Sequence, residues 1–336
     1  MRRAAASSLA AAFPKKGDKM ASYILKRIFM MIPVMLGVAF IIFFIMNMTP
    51  GDPAMQILGE GATPEAIAEK REELGLNDPL LIRYFKYCIN AIQGDFGTSY
   101  RTGVPVFEEI ATRLPVTLKL AIVGIIIAIL IGIPIGVLSA VKQYSLVDNI
   151  SRGVSLLFTS LPGFWLGMLM MLIFSLTLHW LPSMGIGSWK HYIMPAIASH
   201  SSTMASVLRM TRSTMLEVIR QDYIRTARAK GAAERKIIFG HALRNALLPV
   251  VTIIGVNFGM SLGGAIVTEQ VFAMPGLGQL MINSIRTKDI PMVIASVLFA
   301  AIMASVMNLL VDIVYTFIDP RLKAQFVSAK QRRVKA

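Results

Sequence analysis

Long apolar runs separated by polar stretches dominate the chain, and five of them (residues 28–46, 120–141, 153–178, 246–268 and 290–311) contain no charged side chain. Each approaches or exceeds the roughly 20 residues that one helix needs to cross a bilayer. A sixth run, 192–208, is more polar, with His200, Ser199, Ser201, Ser202 and Ser206 inside it. Hydroxyls and a ring nitrogen are costly against lipid, so this segment, if it spans, should face other helices or a wet cavity. The pattern therefore predicts an all-α integral membrane protein with six spans.

Small residues refine the picture. Gly255, Gly259 and Gly263 recur every fourth position, laying a bare stripe along the fifth run and allowing close approach of another backbone. Gly132 and Gly136 flank Pro134 in IGIPIG, which predicts a helix contact and a kink in the second run. Between the runs, PEAIAEKREELGL (64–76) has helical period inside a loop domain expected at 47–113. The segment 209–246 reads as two amphipathic helices: Ile224 and Ala227 alternate with Arg225 and Arg228, and Ile237, Ile238 and Leu243 alternate with Arg235, Lys236 and Arg244. Gly231 stands where the first should end, because glycine accepts the left-handed backbone of a helix C-terminus. Thr226, Ala232, Ala233 and Glu234 complete the turn region.

Composition agrees with the runs: 55% of residues are hydrophobic and 16% charged. A net charge of +15 would raise nucleic acid as a partner in a soluble chain, but here the bases flank apolar runs and no aromatic-basic module is present, so no nucleic-acid role is expected. Their distribution orients the spans. Residues 1–27 carry seven bases and one acid, 209–246 nine bases and three acids, and 47–113 ten acids and six bases; the tail 319–336 adds Arg321, Lys323, Lys330, Arg332, Arg333 and Lys335. Both termini and the 209–246 loop should be cytoplasmic, with 47–113 outside. The stretch before Met20 lacks an apolar core of signal-peptide length, so the first span should be a retained anchor.

Little chemistry is encoded. The one cysteine, Cys88, forms no internal disulfide, the four histidines are scattered, and no phosphate-cradling GxxxxGK[ST] loop occurs. The runs hold almost no titratable group, which disfavours a self-sufficient channel or ion-coupled carrier. The chain should be non-catalytic, without cofactor or metal, and any uphill transport needs energy from elsewhere. The basic helices around Gly231 suit either anionic lipid or a cleft on a partner protein.

TARAKG (226–231) followed by HALRNALLPV (241–250) resembles the coupling loop of binding-protein-dependent ABC importer permeases, in the form used by the dipeptide and oligopeptide branch. On the general family register Ala227, Gly231 and Leu243 match, while Arg225, Thr226, His241 and Arg244 depart as in the peptide branch. PGDP (50–53), LGLNDP (74–79), GDFGTS (94–99), RMTRSTMLEV (209–218) and EQVFAMPGLGQL (269–280) follow in family order, so the likeness covers nearly all of 20–323.

The resemblance implies a type I importer permease fold in a bacterial or archaeal plasma membrane, with a permease domain at 114–318. It implies a second homologous permease, two cytoplasmic ATPases carrying the ATP and magnesium, an extracytoplasmic solute-binding protein and surrounding lipid as partners. Arg225, Thr226, Ala227, Gly231, Ala232, Ala233, Glu234 and Arg235 would couple to an ATPase. Pro275, Gly276 and Gly278 of PGLG, on turn chemistry alone a simple turn, would belong to a short re-entrant segment at the external gate. Di- or oligopeptides are the expected cargo, with glutathione, nickel chelates and glycosides as alternatives.

Overall fold

The computed structural model describes residues 16–49, 51–59 and 61–318. Residues 1–15 of the tail expected at 1–27, the tail expected at 319–336, and Pro50 of PGDP lie outside them. The described chain is helical almost throughout, with one isolated bridge between Thr98 and Pro105.

Helix α1 (Lys16–Met48) starts before the expected 28. Three short helices follow: α2 (Pro53–Leu58), capped by Asp52 through the Ala54 amide, α3 (Pro64–Glu73), capped by Thr63, and α4 (Leu80–Ile92). Both capped helices place proline in the first turn, where its missing N–H costs nothing. Although α4 falls in the expected loop domain, it lies along α1. The Tyr84 hydroxyl donates to the carbonyl of Leu36, deep in that apolar helix, and Arg83 donates to Asn47 Oδ1 at 2.7 Å. Tyr84 also packs with Ala39, Phe43, Ile294 and Leu298 in one cluster, so the segment shares the bundle's core.

Helix α5 (Val106–Val141) runs through the 113/114 boundary expected between loop and permease domains. A serine-capped turn leads to α6 (Leu146–Ser160) and then α7 (Gly163–Met170), which continues as a π-helical turn, Met171–Thr177. The expected continuous run 153–178 is in fact bent by 110° between α6 and this pair. Pro162 explains the break: it offers no N–H to the helix, and it holds the preceding Leu161 in an extended conformation (φ −89°, ψ 132°).

Helix α8 (Ile193–Ile219) contains the polar sixth run and continues well past its expected end at 208. It is the most enclosed of the helices, with His200, Ser201, Thr203 and Thr211 buried along it. Helix α5 meets it with a spine of small residues, Gly124, Ala128, Gly132 and Gly136. A Cβ on Gly124 would overlap the His200 ring, and one on Gly136 would stand 2.7 Å from Thr211 Cβ. Interior packing at this density leaves no room for the missing methyl groups.

After α8 come α9 (Asp222–Ala229), the short turn Glu234–Lys236, a π-helical turn Ile237–Ala242, and α10 (Leu243–Val271). The last three join without a gap, so one helical rod extends from Glu234 to Val271. Helices α11 (Leu277–Arg286) and α12 (Ile290–Ile318) complete the chain. Gly255 and Gly259 of α10 face α12, where a Cβ would overlap Val311 and Asn308. Gly263 is on the same helix, its surroundings outside the described set.

Among the described residues, four helical stretches are long and apolar enough to cross a membrane: Ile24–Met48, Val106–Val141, Glu234–Ser261 and Ile290–Val311. The bent pair brings the number to five; α8 is too polar to join them by composition.

Candidate functional site: a basic turn at the end of a continuous helix

Helix α9 is amphipathic, and its apolar face is already used. Ile224, Ile237, Ile238, Met215, Ala242, Ala246, Val137 and Ala140 form one buried cluster, with Ala227, Ala232 and Leu243 packed on its edge. Four elements thus hold the turn: the ends of α5 and α8, α9 itself, and the start of the rod. Asn245 donates to the Tyr223 hydroxyl at 2.7 Å, adding a polar tie between α9 and α10.

Gly231 closes α9 with φ +74°. The Ala232 N–H donates to the Ala227 carbonyl at 3.2 Å and the Gly231 N–H to Arg228 at 2.9 Å, the paired bonds of a Schellman ending. Nothing lies within 4 Å of where a Cβ of Gly231 would be, so its glycine is required by conformation and not by space. Across the turn the Arg228 guanidinium grips Glu234 through two hydrogen bonds, which holds Arg228 above the ordinary arginine range.

What remains outside is the polar face. Arg225, Thr226, Ala233, Glu234, Arg235 and Lys236 are all exposed around the glycine, whereas Ala227 and Ala232 are half-buried against the chain's own cluster. The structure therefore gathers the eight turn residues singled out in the sequence, but divides them between a supporting set and a presented set.

Sequence reasoning missed the group that anchors this end of the bundle. Asp148, wholly buried on α6, receives two bonds from Arg212 of α8 (2.6 and 2.9 Å), one from the Ser139 hydroxyl and one from the Tyr144 amide. Arg209, one turn earlier, reaches Thr159 Oγ1 at 2.6 Å. The arginines stood in RMTRSTMLEV, but nothing in their spacing named partners on α6.

Pro275, Gly276 and Gly278 sit far along the chain from this turn, between the end of α10 and α11. There the PGLG turn folds against buried Glu269 and Thr117. No group of three or more His, Cys, Asp or Glu side chains among the described residues is arranged to hold a metal ion.

Several apolar helices of membrane length, one of them continuous with an exposed basic turn, define a multi-pass membrane protein. Comparison makes the class specific. Residues 132–324 match the family described as binding-protein-dependent transport system inner membrane component, and 20–121 match its N-terminal companion. The glutathione transport permease GsiC of Salmonella paratyphi A is 43% identical over 90% of this chain and 99% of its own length. The oligopeptide transport permease AppB of Bacillus subtilis is 43% identical over 90% of this chain and all of its own. The dipeptide transport permease DppB of Alkalihalophilus pseudofirmus is 41% identical with the same coverage as AppB. Among solved structures, the permease fold of the inward-facing MetNI methionine ABC transporter superposes with a TM-score of 0.54 at 20% identity, covering 63% of this chain and 96% of that one. The chain belongs to the ABC importer permeases of the peptide family.

Proposed function

We propose that this chain forms half of the translocation pathway of an ATP-driven importer in a bacterial inner membrane. The observation that carries the reading is the turn around Gly231. An amphipathic helix that adheres to lipid must leave its apolar face free to enter the bilayer. Here Ile224 is fully buried in the chain's own cluster, as are Ile237 and nearly so Ile238, so the face left over is mostly charged, small at Ala233, with Tyr223 and Phe239 as its exposed aromatics. Such a surface suits a protein cleft, and its direct continuation into α10 gives docking a route into the membrane.

Two cytoplasmic ATPases, with ATP and magnesium on them, would receive this turn and its counterpart on a second homologous permease. The external binding protein would deliver cargo to the opposite end, where α2 to α4 and the PGLG turn lie. The excess of bases at 1–27, 209–246 and 319–336 over acids supports cytoplasmic termini. On the same reading α8 is the sixth span, its His200, Ser201 and Thr203 enclosed by the interior and not by lipid. Di- and oligopeptides are the cargo that the peptide-permease relatives favour. Glutathione, itself a tripeptide, is the second candidate, since a relative of equal identity is named for it.

Reconstitution tests this. The purified chain alone in liposomes should neither hydrolyse ATP nor accumulate a radiolabelled dipeptide or glutathione against a gradient. Adding both ATPases, the second permease and the binding protein should produce ATP-dependent uptake. Uphill uptake by the chain alone would end the proposal.

A further inference from the structure

Helix α11 has no N-cap of its own. The residue before it is Gly276, which carries no side chain to receive the amides of the first turn, and helix starts normally need such an acceptor. The acceptors come from two other helices. The Leu277 N–H donates to Thr117 Oγ1 of α5 at 2.8 Å, and the Gly278 and Gln279 N–H groups donate to Glu269 Oε2 of α10 at 2.8 and 3.1 Å. The Thr117 hydroxyl in turn donates to Glu269 Oε1 at 2.6 Å. Three consecutive amides are thus met by one carboxylate and one hydroxyl, and Glu269 itself is wholly buried.

This arrangement also dictates the glycines of PGLG. A Cβ on Gly276 would overlap the Glu269 carboxyl group, and one on Gly278 would lie 2.6 Å from the Ile266 backbone and 3.0 Å from the carboxylate. Beside them a small pocket of about 20 Å³ is lined by Leu114, Thr117, Glu269, Leu277 and Met281. The carboxylate therefore fits the helix end tightly, in the place where the positive end of a helix favours an anion.

Glu269 stands on the last turn of the rod that begins at Glu234 beside Gly231. We propose that Glu269 is a positioning residue of the transport cycle, which couples α11 to the rod so that a displacement of the basic turn moves the PGLG segment. This deepens the importer reading and rests on it. A helix transmits displacement along its length, and a buried carboxylate that accepts from two amides of α11 cannot part from that helix without leaving both unpaired. Thr117 gives α5 a share in the same joint, so the three helices move as one unit at this end.

The experiment uses the complete importer, with both permeases, both ATPases and the binding protein, in proteoliposomes, and reads ATP hydrolysis and dipeptide uptake in the same vesicles. Glu269→Ala should leave ATP hydrolysis within about twofold of wild type while uptake falls by about tenfold or more, a loss in the usual range of coupling between sites. Glu269→Gln keeps a carbonyl oxygen for the two α11 amides and an N–H for Thr117, and should restore more than half of the uptake per ATP. A role confined to holding the fold would lower assembly, hydrolysis and uptake in proportion; that outcome, or an unchanged ratio in Glu269→Ala, overturns the proposal. If Glu269→Ala does not assemble, Thr117→Val decides by the same ratio, a wild-type ratio being fatal. Failure of the wild-type complex to take up the dipeptide with ATP is a separate result and counts against the importer reading instead.

Discussion

Replacing Gly231 by valine isolates the shape of the basic turn from its charge. At φ +74° an L-residue suffers contact between Cβ and its own carbonyl, costing about 1 to 2 kcal/mol, with more for a branched Cβ. Nothing lies within 4 Å of the added Cβ, so the Cβ itself meets no neighbour and the backbone term dominates. A penalty of that size reduces the population of the left-handed turn by about five- to thirtyfold while remaining small against a folding free energy of about 5 to 15 kcal/mol. The variant should thus reach the membrane and keep its bundle but lose the ordered ending of α9. Hydrogen exchange at residue 231 and at Ala232, whose amides bond to Arg228 and Ala227, should accelerate. Copurification of the ATPases and uptake should fall together. Gly231→Asn, which tolerates the left-handed region, is the control and should retain most activity. The reasoning fails if Gly231→Val exchanges and transports like wild type, or if the asparagine variant is damaged as badly as the valine one.

Two further outcomes are expected. Arg212→Met leaves the buried Asp148 carboxylate without its guanidinium, and as Arg212 is 17% exposed the loss should lie near the lower end of the roughly 3 to 5 kcal/mol seen for broken buried pairs, visible as a drop in detergent-solubilised thermal midpoint; adding Asp148→Asn should recover much of it. In a Cys88→Ser background, Glu69→Cys on the exposed face of α3 should react with an impermeant maleimide in intact spheroplasts, whereas Arg228→Cys should react only after lysis; the reverse pattern would invert the orientation read from charge.

Apolar runs made the helices legible because a spanning segment must satisfy its backbone internally and so shows a long uncharged stretch. The same logic obscured what happens inside the runs. The 153–178 stretch reads as one span by hydropathy, yet SLPG carries a pre-proline residue that bends it, and only the conformational preference of Leu161 announced the bend. The loop at 209–246 was bounded by charge, but Arg209 and Arg212 lie on a helix that had not yet ended; their charges are spent on Thr159 and on Asp148 of α6. Period located the face of α9 that carries Ile224, and the left-handed ending at Gly231 followed from composition. Which alanine supports the turn and which is presented did not follow, since Ala232 and Ala233 are chemically identical and differ only in what lies beneath them.

The two glycine-marked turns at the ends of the rod show the limit most clearly. Gly231 and Gly276 both read as turn residues, but the requirement differs in kind. Gly231 has a positive φ and open space where a Cβ would stand, so a Cβ fits and most L-residues strain the backbone. Gly276 has an extended backbone (φ −97°, ψ −178°) that any residue could adopt, and it is glycine because the Glu269 carboxylate fills the position of its Cβ. The first kind of constraint is local and can be inferred from a helix end. The second depends on a residue seven positions away folding back across the turn, and on Thr117 from a helix far earlier in the chain. A turn built the first way leaves its outward face free for a partner, which is what a docking surface needs. One built the second way is fused to the bundle, and cannot shift unless α5 and α10 shift with it.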